Sequence, residues 1–149
     1  MAVCKGKGFV EVAIGERFGD ALTITETHLI QGAGLTGDFN PLHVDAAFAK
    51  RSRFGQRILH GPLTNAIMTA PVGMFFAGTA IAYLEQSCRF KSPVFIGDTL
   101  ITEWTITALD AKPKHGGGIV SMQAVCRNQR GEMVAEGAGK ILVADRHPK

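Results

Sequence analysis

The sequence predicts an α+β domain in which one uncharged helix is enclosed by a curved antiparallel sheet. Three observations predict it. Gly61 to Leu84 contains no charged residue, as expected of a helix that is buried on all sides. Four later segments alternate apolar and polar residues, and period two repeated in this way means antiparallel strands with one buried face. The helical segment precedes those strands, which is an α+β order, not a βαβ order. With 149 residues, 46% hydrophobic and 19% charged, the chain reads as one globular domain over residues 1–149.

Taken in order, Phe9 to Ile14 reads as a short extended entry segment. A helical pattern begins at Thr25 and runs through Leu29, Ile30 and Ala33. Thr23 or Thr25 can cap it, and Gly34 to Gly37 loosen its end. Asn40-Pro41 marks a turn, because proline pushes its predecessor out of the helical region. Asp45 to Lys50 reads as a short helix and Arg51 to Arg57 as a loop around Gly55. Over Gly61 to Phe76, the residues Leu63, Ile67, Ala70 and Met74 recur at helical spacing. Pro62 suits the first turn; Pro71, well inside, removes a hydrogen bond and kinks the axis.

The strands follow. Ala82, Leu84, Cys88 and Phe90 share one parity, as do Leu100, Thr102, Trp104, Ile106 and Ala108. So do Val120, Met122, Ala124 and Cys126, and finally Met133, Ala135, Ile141 and Val143. Pro93 with Gly97-Asp98, Pro113 to Gly118, and Asn128 to Gly131 supply the turns.

Composition narrows the function. The net charge of +3 is scattered, with no basic stripe of the kind nucleic-acid binders show. A few of these cations can attract the phosphates of a small anionic ligand, although an ordinary solvated surface accounts for each. Gly61 to Leu84 is long enough to span a bilayer, but Pro62, Asn65, Pro71 and Gly73 interrupt it and no aromatic belt flanks it. A buried helix, with no membrane partner, is the expectation. Cys4, Cys88 and Cys126 form neither a disulfide framework nor a metal knuckle, which points to a reducing, cytoplasmic setting. No apolar run follows Lys5 and Lys7, so no signal peptide is expected.

The most unusual local order lies in residues 37–61. Asp38 and His43 stand five positions apart across the Asn-Pro turn. A helix would put them on different faces, but a proline turn can aim both at one point. A carboxylate beside an imidazole can hold one water: the carboxylate orients and accepts, and the imidazole exchanges a proton near neutral pH. Taken singly, Asp38 also reads as a turn-capping aspartate and His43 as a core histidine.

The wider pattern is more specific. Gly37-Asp38-Phe39-Asn40-Pro41-Leu42-His43-Val44-Asp45, then Phe48-Ala49, Phe54-Gly55 and Ile58-Leu59-His60-Gly61, resembles the signature of the MaoC-like, R-specific enoyl-CoA hydratase family. Phe90-Lys91-Ser92-Pro93-Val94-Phe95-Ile96-Gly97-Asp98 extends the resemblance, which covers about Thr25 to Val143. It implies the hot-dog fold, with Asp38 and His43 as the catalytic pair. It also implies that backbone N–H groups near Gly61 polarise a thioester carbonyl. A helix N-terminus, with unpaired N–H groups and a positive dipole end, suits the enolate oxygen that would develop there. Asn40 braces the turn, and His60 reads as a structural histidine tying loop to helix.

The resemblance further implies an acyl-CoA or acyl-carrier-protein substrate and a homodimer or an oligomer of dimers, with neither cofactor nor metal. The chain departs from the family after Gly61: Pro62 replaces an expected methionine, Asn65-Ala66 stands where a small hydroxylated residue is common, and Pro71 is unexpected. These residues would line the acyl pocket. Two alternatives stay open. A hot-dog acyl-CoA thioesterase would place a carboxylate on the central helix, yet Leu63 to Phe76 has no Asp or Glu. A non-catalytic acyl-thioester-binding subunit would have no need of an intact Asp38 and His43.

Overall fold

In the computed structural model, which describes residues 5–147, five strands form one antiparallel sheet. They are β1 (Arg17–Thr23), β2 (Ala80–Phe90), β3 (Thr99–Lys112), β4 (Gly117–Arg127) and β5 (Met133–Ala144). Their order across the sheet is β1-β3-β4-β5-β2. Four helices precede β2: α1 (Glu26–Thr36), α2 (Pro41–Val44), α3 (Ala46–Arg51) and α4 (Gly61–Phe75). The α+β class and the four later strands thus stand as the periodicity indicates.

Helix α4 packs against one face of the sheet. Met68, Val72 and Phe76 are buried with Leu100, Trp104 and Ile106 of β3, Val120 and Met122 of β4, and Ile141 and Val143 of β5. The parity read from the sequence is the buried parity on β3 and β4. The Trp104 indole N–H donates to the Met68 carbonyl at 2.7 Å, so the fully buried ring also pegs the helix to the sheet. Helix α4 runs unbroken through Pro71.

Four expectations need correction. The entry segment is not extended: Phe9–Glu11 forms a 3-10 turn, closed by the Glu11 carboxylate on the Gly8 N–H at 2.6 Å. Strand β1 also joins the sheet ahead of the four strands read from the sequence, with Arg17 opposite Thr105 and Thr23 opposite Thr99. Helix α4 is not buried on all sides: Pro62, Ala66, Ala70, Gly73 and Met74 are exposed, because the sheet covers only one face. Strand β2 has no fully buried residue, since it is an edge strand bonded only to β5. Ile81, Tyr83, Leu84 and Phe90 all stand exposed along it.

Cys126 is buried and Cys88 half-buried, both as free thiols, and burial pushes both up from the usual thiol range. Cys4 lies outside the described residues. Among the described residues no helix is long and apolar enough to cross a membrane.

Candidate active site

The segment between α1 and α4 is organised by its own short-range hydrogen bonds. Helix α1 ends at Gly37, whose left-handed φ of 75° lets its N–H reach the Ala33 carbonyl at 2.9 Å. The Asn40 side chain then accepts the Leu42 N–H at 3.0 Å and caps α2, with Pro41 at the first helical position. The Asp45 carboxylate caps α3 through the Phe48 N–H at 2.9 Å. The Asn40 side chain thus holds the turn at the start of α2.

These bonds aim the two expected reactive groups. Asp38 Oδ1 accepts the Asn40 N–H at 3.1 Å, which leaves Oδ2 for other work. Oδ2 stands 3.7 Å from His43 Nε2. The His43 side chain is 10% exposed and that of Asp38 48%, so the imidazole sits at the bottom of the pair and the carboxylate at its rim. His43 Nδ1 lies 2.8 Å from the Ile58 carbonyl. A carbonyl can only accept, so Nδ1 carries a proton, and in the neutral ring Nε2 presents a lone pair towards Asp38. An oxygen at about 2.8 Å from both Nε2 and Oδ2 fits as the apex of a triangle on this 3.7 Å base.

Ile58 is held from both sides. Its N–H donates to the Leu42 carbonyl, and neighbouring Arg57 makes a two-pronged bond to Glu26 at 2.8 and 2.5 Å. The Arg57 hydrogen bonds hold the Glu26 carboxyl below its ordinary range. Leu59 donates to the Val94 carbonyl, and Ile58 bridges to Phe95, which ties the site to the loop before β3. That loop is ordered by Asp98. Its carboxylate accepts the Phe95 N–H at 3.0 Å, Gln129 Nε2 at 3.1 Å and Arg130 Nη1 at 3.0 Å while only 3% exposed. Sequence reading placed Asp98 in a turn but missed this support. The only signal was an aspartate after Gly97 inside the second matching block.

His60 is the N-cap of α4, and its Nε2 lies 2.9 Å from the Asp38 carbonyl. It ties loop to helix as expected. Its ring also stacks on His43, with centroids 3.8 Å apart. At the head of α4, Pro62 has no N–H and the Thr64 N–H is spent on the His60 carbonyl. The Gly61 N–H makes no hydrogen bond among the described residues. Gly61 also meets a packing need, because a Cβ there would stand 3.3 Å from the Phe90 ring.

Asp38, His43 and His60 bring metal-ligating atoms within 4.8 Å of one another. His43 Nδ1 and His60 Nε2 are already spent on carbonyls, however. What remains facing Asp38 is one imidazole lone pair beside one carboxylate, an arrangement suited to holding a water and moving its proton.

Comparison with known proteins identifies the family. A family model described as MaoC-like domain matches residues 11–125. An (R)-specific enoyl-CoA hydratase of Rhodospirillum rubrum is 34% identical over 138 residues, covering 93% of this chain and 92% of that protein. A second (R)-specific enoyl-CoA hydratase, from Aeromonas caviae, is 44% identical over 77 residues, 52% of this chain and 58% of that protein. Among solved structures, an unliganded R-hydratase from Pseudomonas aeruginosa superposes with a TM-score of 0.84 at 32% identity, covering 95% of this chain and 88% of that one. Matched over most of its length in both sequence and fold, the chain belongs to the MaoC-like family and has its hot-dog fold.

Proposed function

We propose that the chain is a hydro-lyase acting on acyl thioesters. It adds water across the double bond of a trans-2-enoyl-CoA to give the R-3-hydroxyacyl thioester, or runs the reverse dehydration. The observation that carries this reading is the Asp38–His43 pair, with a basic Nε2 facing a half-exposed carboxylate oxygen at 3.7 Å. The pair holds one water and delivers hydroxide to C3 and a proton to C2 from one side, so the addition is syn. Negative charge gathers on the thioester oxygen as C2 gains electron density. The Gly61 N–H, at the positive end of α4, stabilises it. No carboxylate lies on α4, which disfavours the thioesterase alternative.

Hydration of crotonyl-CoA, followed at the enoyl thioester absorbance, tests the assignment. Asp38→Asn and His43→Ala should each lower kcat by about 10²–10⁴-fold, as removal of a general acid–base group does. The double variant should be hardly worse than either single, because the pair acts as a unit. Near wild-type rates in both singles would refute the site. An S alcohol as product would refute the facial assignment. The thioester carrier is CoA or an acyl carrier protein, and kcat/KM on both carriers with one acyl group decides between them.

The same reading makes the protein a homodimer or an oligomer of dimers. The open edge of β2 and the uncharged exposed face of α4 support it, since an unpaired apolar edge strand is a liability that pairing removes. Sedimentation showing a monomer at micromolar concentration would contradict it. A cytoplasmic location, suggested by the free Cys88 and Cys126, completes the reading and is tested by cell fractionation.

A further inference from the structure

His60 is 1% exposed, and nothing in the proposed reaction uses it. Its Nε2 faces the Asp38 carbonyl, so Nε2 carries a proton, and in the neutral ring Nδ1 is a bare lone pair. Among the described residues that buried Nδ1 has no hydrogen-bond partner. An orphaned buried acceptor costs stability, and a leucine of similar bulk would fill the space without one. Packing alone therefore does not ask for histidine here.

The contacts of the ring show what does. On one side it lies against α1, where a Cβ on Gly32 would stand 3.0 Å from His60 Nδ1. On the other side it stacks on His43 with an interplanar angle of 27°. Its one donor reaches the backbone of Asp38. A single buried side chain thus touches both members of the reacting pair and belongs to the residue immediately before Gly61.

We propose that His60 is a positioning residue for the Asp38–His43 pair. Its Nε2–H ties the Asp38 backbone to the head of α4, and its ring face sets the plane of the His43 imidazole. The proposal rests on the reading of Asp38 and His43 as the reacting groups. A buried residue has no surface to offer substrate, so its loss acts on kcat and leaves KM nearly unchanged.

The test compares His60→Leu, His60→Gln and His60→Phe with Asp38→Asn as the reference, in steady-state hydration of crotonyl-CoA with thermal unfolding by circular dichroism. A folded His60→Leu should lose about 10²-fold in kcat, the scale expected for a misplacement of about 1 Å, with KM within about threefold. Glutamine places an N–H where Nε2 stands and should recover most of the loss. Phenylalanine, which keeps the ring but not the donor, should fall between the two. A folded leucine variant at wild-type kcat, or a glutamine variant no better than leucine, would overturn the proposal. Activity in Asp38→Asn would instead bring down the reading beneath it. Should the variants not fold, ring ¹⁵N spectra of the wild type decide: the Nε2–H tautomer of His60 supports the proposal and the Nδ1–H tautomer overturns it.

Discussion

Asp98 and Tyr83 show how the surroundings of one side chain change what it is worth. Asp98 is nearly inaccessible and accepts three hydrogen bonds, one from backbone and two from the β4–β5 turn. Asp98→Ala leaves those donors without their partner and should cost about 3 kcal/mol in denaturant unfolding, within the range for a charged hydrogen-bonding group. Arg130→Ala removes a partner whose side chain is 55% exposed and should cost less than about 1 kcal/mol. Equal losses for the two would refute this ranking. Tyr83, the sole tyrosine, is 41% exposed as a whole residue and donates to Gln86 at 2.7 Å, and the desolvation of its partly covered hydroxyl pushes it up from 10.0 to about 12. The raised value favours the neutral form in the folded state. Its contribution is fully present below pH 10.0 and is lost as pH rises towards about 12. Alkaline difference absorbance should show tyrosinate appearing well above the unfolded value; ionisation near pH 10.0 in the folded protein would contradict it. Asp38 and His43 were legible in sequence because the turn that joins them is local. Two of the three partners of Asp98 lie some thirty residues away, beyond any local pattern.

At the level of elements, Pro71 breaks the usual rule for helix interiors. It removes one N–H from α4, at a cost of about 3 kcal/mol relative to alanine. Its buried ring offsets part of that, since two methylenes contribute about 1.6 kcal/mol. Pro71→Ala should therefore stabilise the fold by about 1.4 kcal/mol, the difference of those two terms. A lower midpoint in urea would show that the ring's packing dominates. The boundaries of α4 could be read to within one residue because Pro62 and the apolar spacing are both local signals. Strand β1 could not, because Arg17–Thr23 is an edge strand with no fully buried residue and contains Gly19 and Asp20. Strands β3 and β4 were readable for the opposite reason: their inward residues are all but sealed from water.

For the whole molecule, the exposed face of α4 is the main departure from the sequence reading. An absence of charge records that water is excluded from a surface, but not whether the same chain or a second copy excludes it. Pro62, Ala66, Ala70 and Met74 are exposed on α4, and Leu84 and Phe90 are exposed on the β2 edge strand. Leu84, 49% exposed, loses little within its own chain when replaced. Leu84→Lys should lower the sedimentation coefficient to that of one chain while leaving the circular dichroism of the folded state intact, because a charge there opposes edge pairing. An unchanged coefficient would rule out this edge as the contact of the proposed dimer.

The peg between Trp104 and the Met68 carbonyl has an optical consequence. Trp104 is the only tryptophan in the chain, and its indole is dry and hydrogen-bonded to the central helix. Its fluorescence therefore reports whether helix and sheet are together. Emission is blue while they remain docked and moves to the red once water reaches the ring, so the protein carries its own gauge of core integrity without any dye or label.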